Sequence, residues 1–154
     1  MKICCQECAQ KSHIQQSNRQ SVDHTNLLCS CTQATCGLTF SMDLKFSHSL
    51  RPSAKHQQPL VDPKLAFLSG KRIHCRYCGG KSNIQKTNRL SLGYADLYCL
   101  CNDPACGHAF VMNLTFNKVL SPSAQSASRL TYELINALDA PTQQTLKQQL
   151  SLLS

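Results

Sequence analysis

A small β protein stapled by metal, built twice over and ended by helices, is the fold class that three observations predict. Eleven cysteines in 154 residues crowd into close groups. Residues 5–54 align with 75–124 at an offset of 70 without a gap, and 22 of 50 positions are identical; chance gives roughly three at ordinary composition. Aromatic residues make up 6% of the chain and Trp is absent, so the core is thin and domains this small need a staple.

The first residues after Met1-Lys2 are Ile3-Cys4-Cys5-Gln6-Glu7-Cys8, with no apolar leader. No apolar run approaches a membrane span. The expectation is a cytoplasmic protein with no membrane partner, in a reducing compartment where clustered cysteines are metal ligands or redox thiols. An odd cysteine count fits metal better than a full set of disulfides.

In residues 1–50 the spacing is Cys5-x2-Cys8, 22 residues, Cys31-x4-Cys36. Residues 71–124 repeat it as Cys75-x2-Cys78, 22 residues, Cys101-x4-Cys106. Paired cysteines on two tight turns, separated by a hairpin's length of chain, describe a zinc ribbon. Zn2+ suits four thiolates because it has no redox chemistry and accepts tetrahedral sulfur. Two Zn2+ per chain are expected. Hairpins over 12–30 and 82–100 turn near Asp23-His24 and Gly93-Tyr94. Leu38, Phe40, Met42, Leu44 and Phe46 then alternate with polar residues, as do His108, Phe110, Met112, Leu114 and Phe116, which is the period of a half-buried strand. Each module is thus a three-stranded antiparallel sheet, and without zinc it should not hold its fold. Cys29 and Cys99 share a strand face with Cys31 and Cys101. They are neighbouring thiols, buried or alternative ligands. Cys4 has His74 as its counterpart and is not a required ligand.

Residues 51–70, with Pro52, Pro59 and Pro63, read as an extended linker in which Leu65-Ala66-Phe67-Leu68 could dock. Residues 125–154 carry Leu130, Leu134 and Leu138, then Leu146, Leu150 and Leu153, around an Asp139-Ala140-Pro141 break. This predicts a C-terminal α-helical hairpin whose apolar stripe packs on the chain's own modules or on a second copy.

Catalytic patterns are missing. Gly79-Gly80-Lys81-Ser82 imitates the end of a phosphate loop, but the first glycine of that motif would fall at Cys75. No HExxH motif occurs, and the acidic residues are few and scattered. A thioredoxin-like site needs CxxC opening a helix in a βαβ unit. No enzyme is expected.

Sixteen Lys and Arg against eight Asp and Glu give a formal net charge of +8. Eight thiolates around two divalent ions lower it to about +4, so the positive field must be local. Lys11, Arg19, Lys81, Lys86 and Arg89 fall in the first hairpins, and Arg72 and Arg76 flank the start of the second module. Asn18-Arg19 and Asn88-Arg89 set an amide beside a guanidinium, a pair suited to bases and phosphates. Double-stranded DNA is the expected partner. A zinc-ribbon protein-interaction adaptor without sequence-specific DNA binding is the alternative.

These motifs, "CQEC…CTQATCGLTF" and "CRYC…LYCLCNDPACGHAFVMNL" with "LSPSA" at 120–124, resemble the Ogr/Delta family of phage late-gene transcription activators in its tandem, Delta-like form. The resemblance covers both modules. It implies one zinc per module, with ligands Cys5, Cys8, Cys31, Cys36, Cys75, Cys78, Cys101 and Cys106. It further implies DNA binding upstream of late promoters at imperfect dyads and contact with the host RNA polymerase alpha subunit's C-terminal domain. Gln33-Ala34-Thr35 departs from the pattern more than Asp103-Pro104-Ala105 does. The terminal helices lie outside the resemblance; self-association through them is one expectation. Two modules on one chain gain effective concentration if about 20–25 linker residues span half-sites about 34–36 Å apart.

Overall fold

A computed structural model describes residues 1–60 and 71–153. The Leu65–Leu68 stretch lies outside the described residues. Eight strands and two helices follow in order: β1 (Ile3–Cys4), β2 (Lys11–Ser21), β3 (His24–Cys31), β4 (Thr39–Arg51), β5 (Ile73–His74), β6 (Lys81–Ser91), β7 (Tyr94–Cys101), β8 (Ala109–Ser121), α1 (Ala124–Ala137) and α2 (Ala140–Leu152). Each half has the three expected long strands plus a two-residue strand before the first knuckle. The β2–β3 and β6–β7 hairpins turn through 22–23 and 92–93. Both carry a register shift at the same place, between Ile14 and Gln16 and between Ile84 and Lys86.

The halves are not beads on a linker. They form one antiparallel sheet of order β1-β2-β3-β4-β8-β7-β6-β5. Strand β4 pairs with β8 so that Leu44 faces Leu114, with Met42 opposite Phe116 and Phe46 opposite Met112. Those partners are equivalent at the offset of 70, so a pseudo-two-fold axis passes through the Leu44–Leu114 pair. The physical cause is the open edge of a lone ribbon: β4 alone would expose a row of unpaired backbone groups beside its apolar face, and a second copy covers both.

The sheet curls until its outer strands approach. Arg89 on β6 donates from Nη2 to the carbonyl of Lys2 beside β1 (2.6 Å). One continuous core takes Ile3, Leu27, Phe40 and Leu44 from the first half and Ile73, Leu97, Phe110 and Leu114 from the second. The alternation read from sequence is visible in β3 and β7, where every second residue is buried.

Asp139 stands at the N-cap position of α2 without a side-chain bond to the helix amides, and Pro141 sits in its first turn. Neither helix buries a residue. Leu130 and Leu134 are 56% and 68% exposed, so the apolar stripe does not pack on the modules as one of the expectations had it. What holds α1 is its start. Ser123 accepts the amide of Ser126 as N-cap, and both hydroxyls donate to the Glu7 carboxylate in the first half. Those bonds hold the Glu7 carboxyl below its usual value.

Candidate metal centres

Each knuckle is a turn closed by its own backbone. Ala9 and Gly79 donate to the carbonyls of Cys5 and Cys75 (3.1 and 2.9 Å). Gly37 and Gly107 donate to Gln33 and Asp103 (3.0 and 2.9 Å). Gly37 and Gly107 have φ of 61° and 56°, the left-handed region that glycine enters without steric cost. These turns bring Cys5, Cys8, Cys31 and Cys36 together, and Cys75, Cys78, Cys101 and Cys106, with all four sulfurs of each set within 4.8 Å of one another.

The spacing fits zinc. A tetrahedron with Zn–S bonds of about 2.3 Å has edges of about 3.8 Å. Cys5–Cys36 and Cys75–Cys106 are 3.7 and 3.8 Å apart; Cys8–Cys31 and Cys78–Cys101 are 3.4 Å. Amides already point at the sulfurs, from Gln33 to Cys31, Tyr77 to Cys75 and Gly80 to Cys78, each 3.4 Å. Burial pushes the Cys31 thiol to about 12 and Cys101 to about 11. Buried thiols without a cation stay protonated; a divalent ion reverses this and takes the thiolates. The two clusters fit two zinc ions per chain.

Cys29 and Cys99 lie outside both sets. They are buried at 0% and 2% exposure, and burial holds both near 12. They are core thiols. Cys4 is buried, and His74 turns Nδ1 to the Gly79 carbonyl (3.2 Å).

The halves also reach into each other's metal surroundings, which sequence reasoning missed. Ser53, past the end of β4, meets Cys106 Sγ at 3.2 Å, and Ala54 donates to the Cys106 carbonyl (2.8 Å). Burial raises Cys106, but the Ser53 hydroxyl and the His108 amide outweigh it and hold the thiol low. The equivalent Ala124 donates to the Cys36 carbonyl (2.7 Å). The repeated Pro-Ser-Ala is therefore a tail that one half lays on the other's second knuckle. His108, fully buried, lies between Cys75 Sγ (3.4 Å from Nδ1) and Ser49 Oγ (2.9 Å from Nε2). Burial first, then the nearby Arg76 charge, lowers it to about 4. A neutral ring with its proton on Nδ1 satisfies both partners and orients the ligand sulfur. Repetition was the only advance signal for the tails, and His108, whose counterpart is Leu38, had none.

The expected DNA-binding residues fall in three groups. Lys11, Asn18, Arg72, Lys81 and Lys86 are exposed, and Lys86 lies over the Tyr98 ring at 5.9 Å. Arg19, Arg89 and Asn88 are half-buried. Arg89 crosses to Lys2, and burial lowers Arg19. His74 is lowered by burial and then by the charges of Arg19, Lys81 and Arg72, which places these cations in one neighbourhood. Arg76 serves the fold instead. It pairs with Asp23 of the first half (3.0 Å) and stacks over Phe46 at 4.1 Å.

Residues 74–120, which hold all of the second cluster but none of the first, match the family described as Ogr/Delta-like zinc finger. That match covers the second half alone. The chain is also similar to a phage protein, the Transactivation protein of Enterobacteria phage P4, with 21% identity over 131 residues, 77% of this chain and 79% of that one. No solved structure matches. Among the described residues, no helix is long and apolar enough to cross a membrane.

Proposed function

We propose that this protein is a zinc-dependent, DNA-binding activator of phage or prophage late genes, acting in the bacterial cytoplasm, that binds upstream of promoters and recruits host RNA polymerase. Kinship with a phage transactivation protein supports a phage transcription activator. The observation carrying DNA binding is the cationic first hairpin, repeated in both halves. Lys11 and Lys81 are exposed at the start of β2 and β6, and Asn18-Arg19 and Asn88-Arg89 recur near their ends. Zinc does no chemistry in this reading; it makes the strands stiff enough to hold their cations in register. Contact with the alpha subunit's C-terminal domain follows from the family resemblance.

A gel shift of the zinc-loaded protein on promoter-upstream DNA tests this. Specific binding should weaken steeply between low and moderate salt, as counterion release requires. Zinc-bound protein that shifts no such DNA would instead be an adaptor. The exposed leucines of α1 and α2 favour a protein contact in either case, with polymerase or with a second copy.

A further inference from the structure

Where the two outer strands approach, two grooves meet. One, of about 730 Å³, is walled by Lys71, Arg72, Lys81 and Ser82. The other, of about 300 Å³, is walled by Lys11, Ser12 and His13. Met1 and Lys71 line both. At the offset of 70, Lys11 corresponds to Lys81, Ser12 to Ser82 and Met1 to Lys71, so the pseudo-two-fold axis through Leu44–Leu114 emerges again between Met1 and Lys71.

Four exposed cations, Lys11, Lys71, Arg72 and Lys81, stand along this double groove, and among the described residues no carboxylate lines it. None of the four has an ion-pair partner among the described residues. Ser12 and Ser82 also line it, but their hydroxyl oxygens are buried. Four uncompensated cations along one groove suit an oxyanion. Cations spread over two adjoining grooves suit a chain of oxyanions better than one.

We infer that this double groove is a phosphodiester-binding site, gripping a DNA backbone on the protein's pseudo-two-fold axis through cations from both halves. The inference rests on the DNA-binding reading above and adds where the grip lies. It replaces two separate readers joined by a linker with one rigid saddle at the centre of the DNA site. It also adds Lys71, which the repeat alignment hides because its counterpart is Met1.

The test uses the zinc-loaded full chain and promoter-upstream duplex. Lys11→Ala, Arg72→Ala and Lys81→Ala together should leave zinc content unchanged and weaken binding by roughly tenfold or more. They should also flatten the dependence of log K on log salt by about 0.9 for each contact removed. Lys147→Ala on α2 should change neither. Wild-type affinity and slope in the triple variant would overturn the site while leaving DNA binding intact. A second measurement follows the backbone amide signals of Ser12, Ser82 and Asn83 as an eight-nucleotide single strand is added. The phosphodiester strand should move them and the uncharged methylphosphonate strand should not. Movement without promoter binding would keep the groove and sink the activator reading. Equal movement by inorganic phosphate alone, or by the methylphosphonate strand, would overturn the phosphodiester site.

Discussion

Two of the crossings between the halves occupy equivalent positions and use different chemistry. In one, Arg76 of the second half pairs with Asp23 and covers Phe46. In the other, the equivalent Gln6 lies against Gly93, where an added Cβ would meet the Gln6 amide at 3.2 Å and Phe116 at 3.1 Å. One contact is charged and the other is a close fit around a glycine. A homodimer must change both copies of its interface at once; a fused pair can tune each side separately. Inside the halves the same freedom shows as exchange. Asn26 donates to Asp43 (2.9 Å) in one, and Asn113 donates to Asp96 (2.6 Å) in the other. Amide and carboxylate have traded strands and kept the bond.

The largest test of this comparison removes a metal. Structural zinc contributes about 10–16 kcal/mol in small fingers, against a net stability of about 5–15 kcal/mol for a whole domain. Cys101→Ser should unfold the second half. Because Ser53 and Ala54 rest on Cys106 and β4 pairs with β8, the first half should lose order too. Native mass spectrometry with far-UV circular dichroism reads both; a fully folded first half with one zinc would show that the halves are independent.

Next comes the charged crossing. Arg76→Ala removes a partly exposed ion pair and a cation–π contact, and should cost about 1–2 kcal/mol in chemical denaturation. Gln6→Ala should cost clearly less, and equal losses would make the asymmetry energetically empty.

A gain of about 0.5–1 kcal/mol is expected from Ala9→Gly. Ala9 sits at φ 58° where Gly79 has φ 70°, and a side chain there is strained by more than the entropy that glycine costs. Gly79→Ala should lose a similar amount, and urea midpoints decide the sign of both.

The smallest effect belongs to the exchanged pair. Asn26→Asp with Asp43→Asn rebuilds the second half's arrangement in the first and loses the long Lys45–Asp43 pair (4.0 Å) and the partly exposed His24–Asp43 contact (3.1 Å), together worth under about 1 kcal/mol. That contact has an acid limb. Burial raises the Asp43 carboxyl, but bonds from Asn26 and His24 outweigh it and hold it below its usual value. The wild-type advantage should therefore be full above the ordinary carboxylate range and vanish as pH falls through the lowered value. An advantage that persisted under acid would deny Asp43 this role.

Reading the chain alone located the eight ligands, the duplication, the long strands and the helical pair, because each is written locally: a spacing, an offset, a period. Cys29 and Cys99 could not be settled that way, since they share a strand face with true ligands and only the folded hairpins separate them. Arg76 looked like its exposed neighbours because nothing in its local sequence mentions Asp23, 53 residues away. What the amino-acid order determined by itself was two zinc-stapled ribbons with cationic hairpins. What only the tertiary structure decided was their fusion through β4 and β8, the laying of each Pro-Ser-Ala tail on the other half's knuckle, and the shared groove. The physical reason is that an open strand edge offers the same backbone donors and acceptors to any partner, so periodicity can announce the edge but not what will cover it.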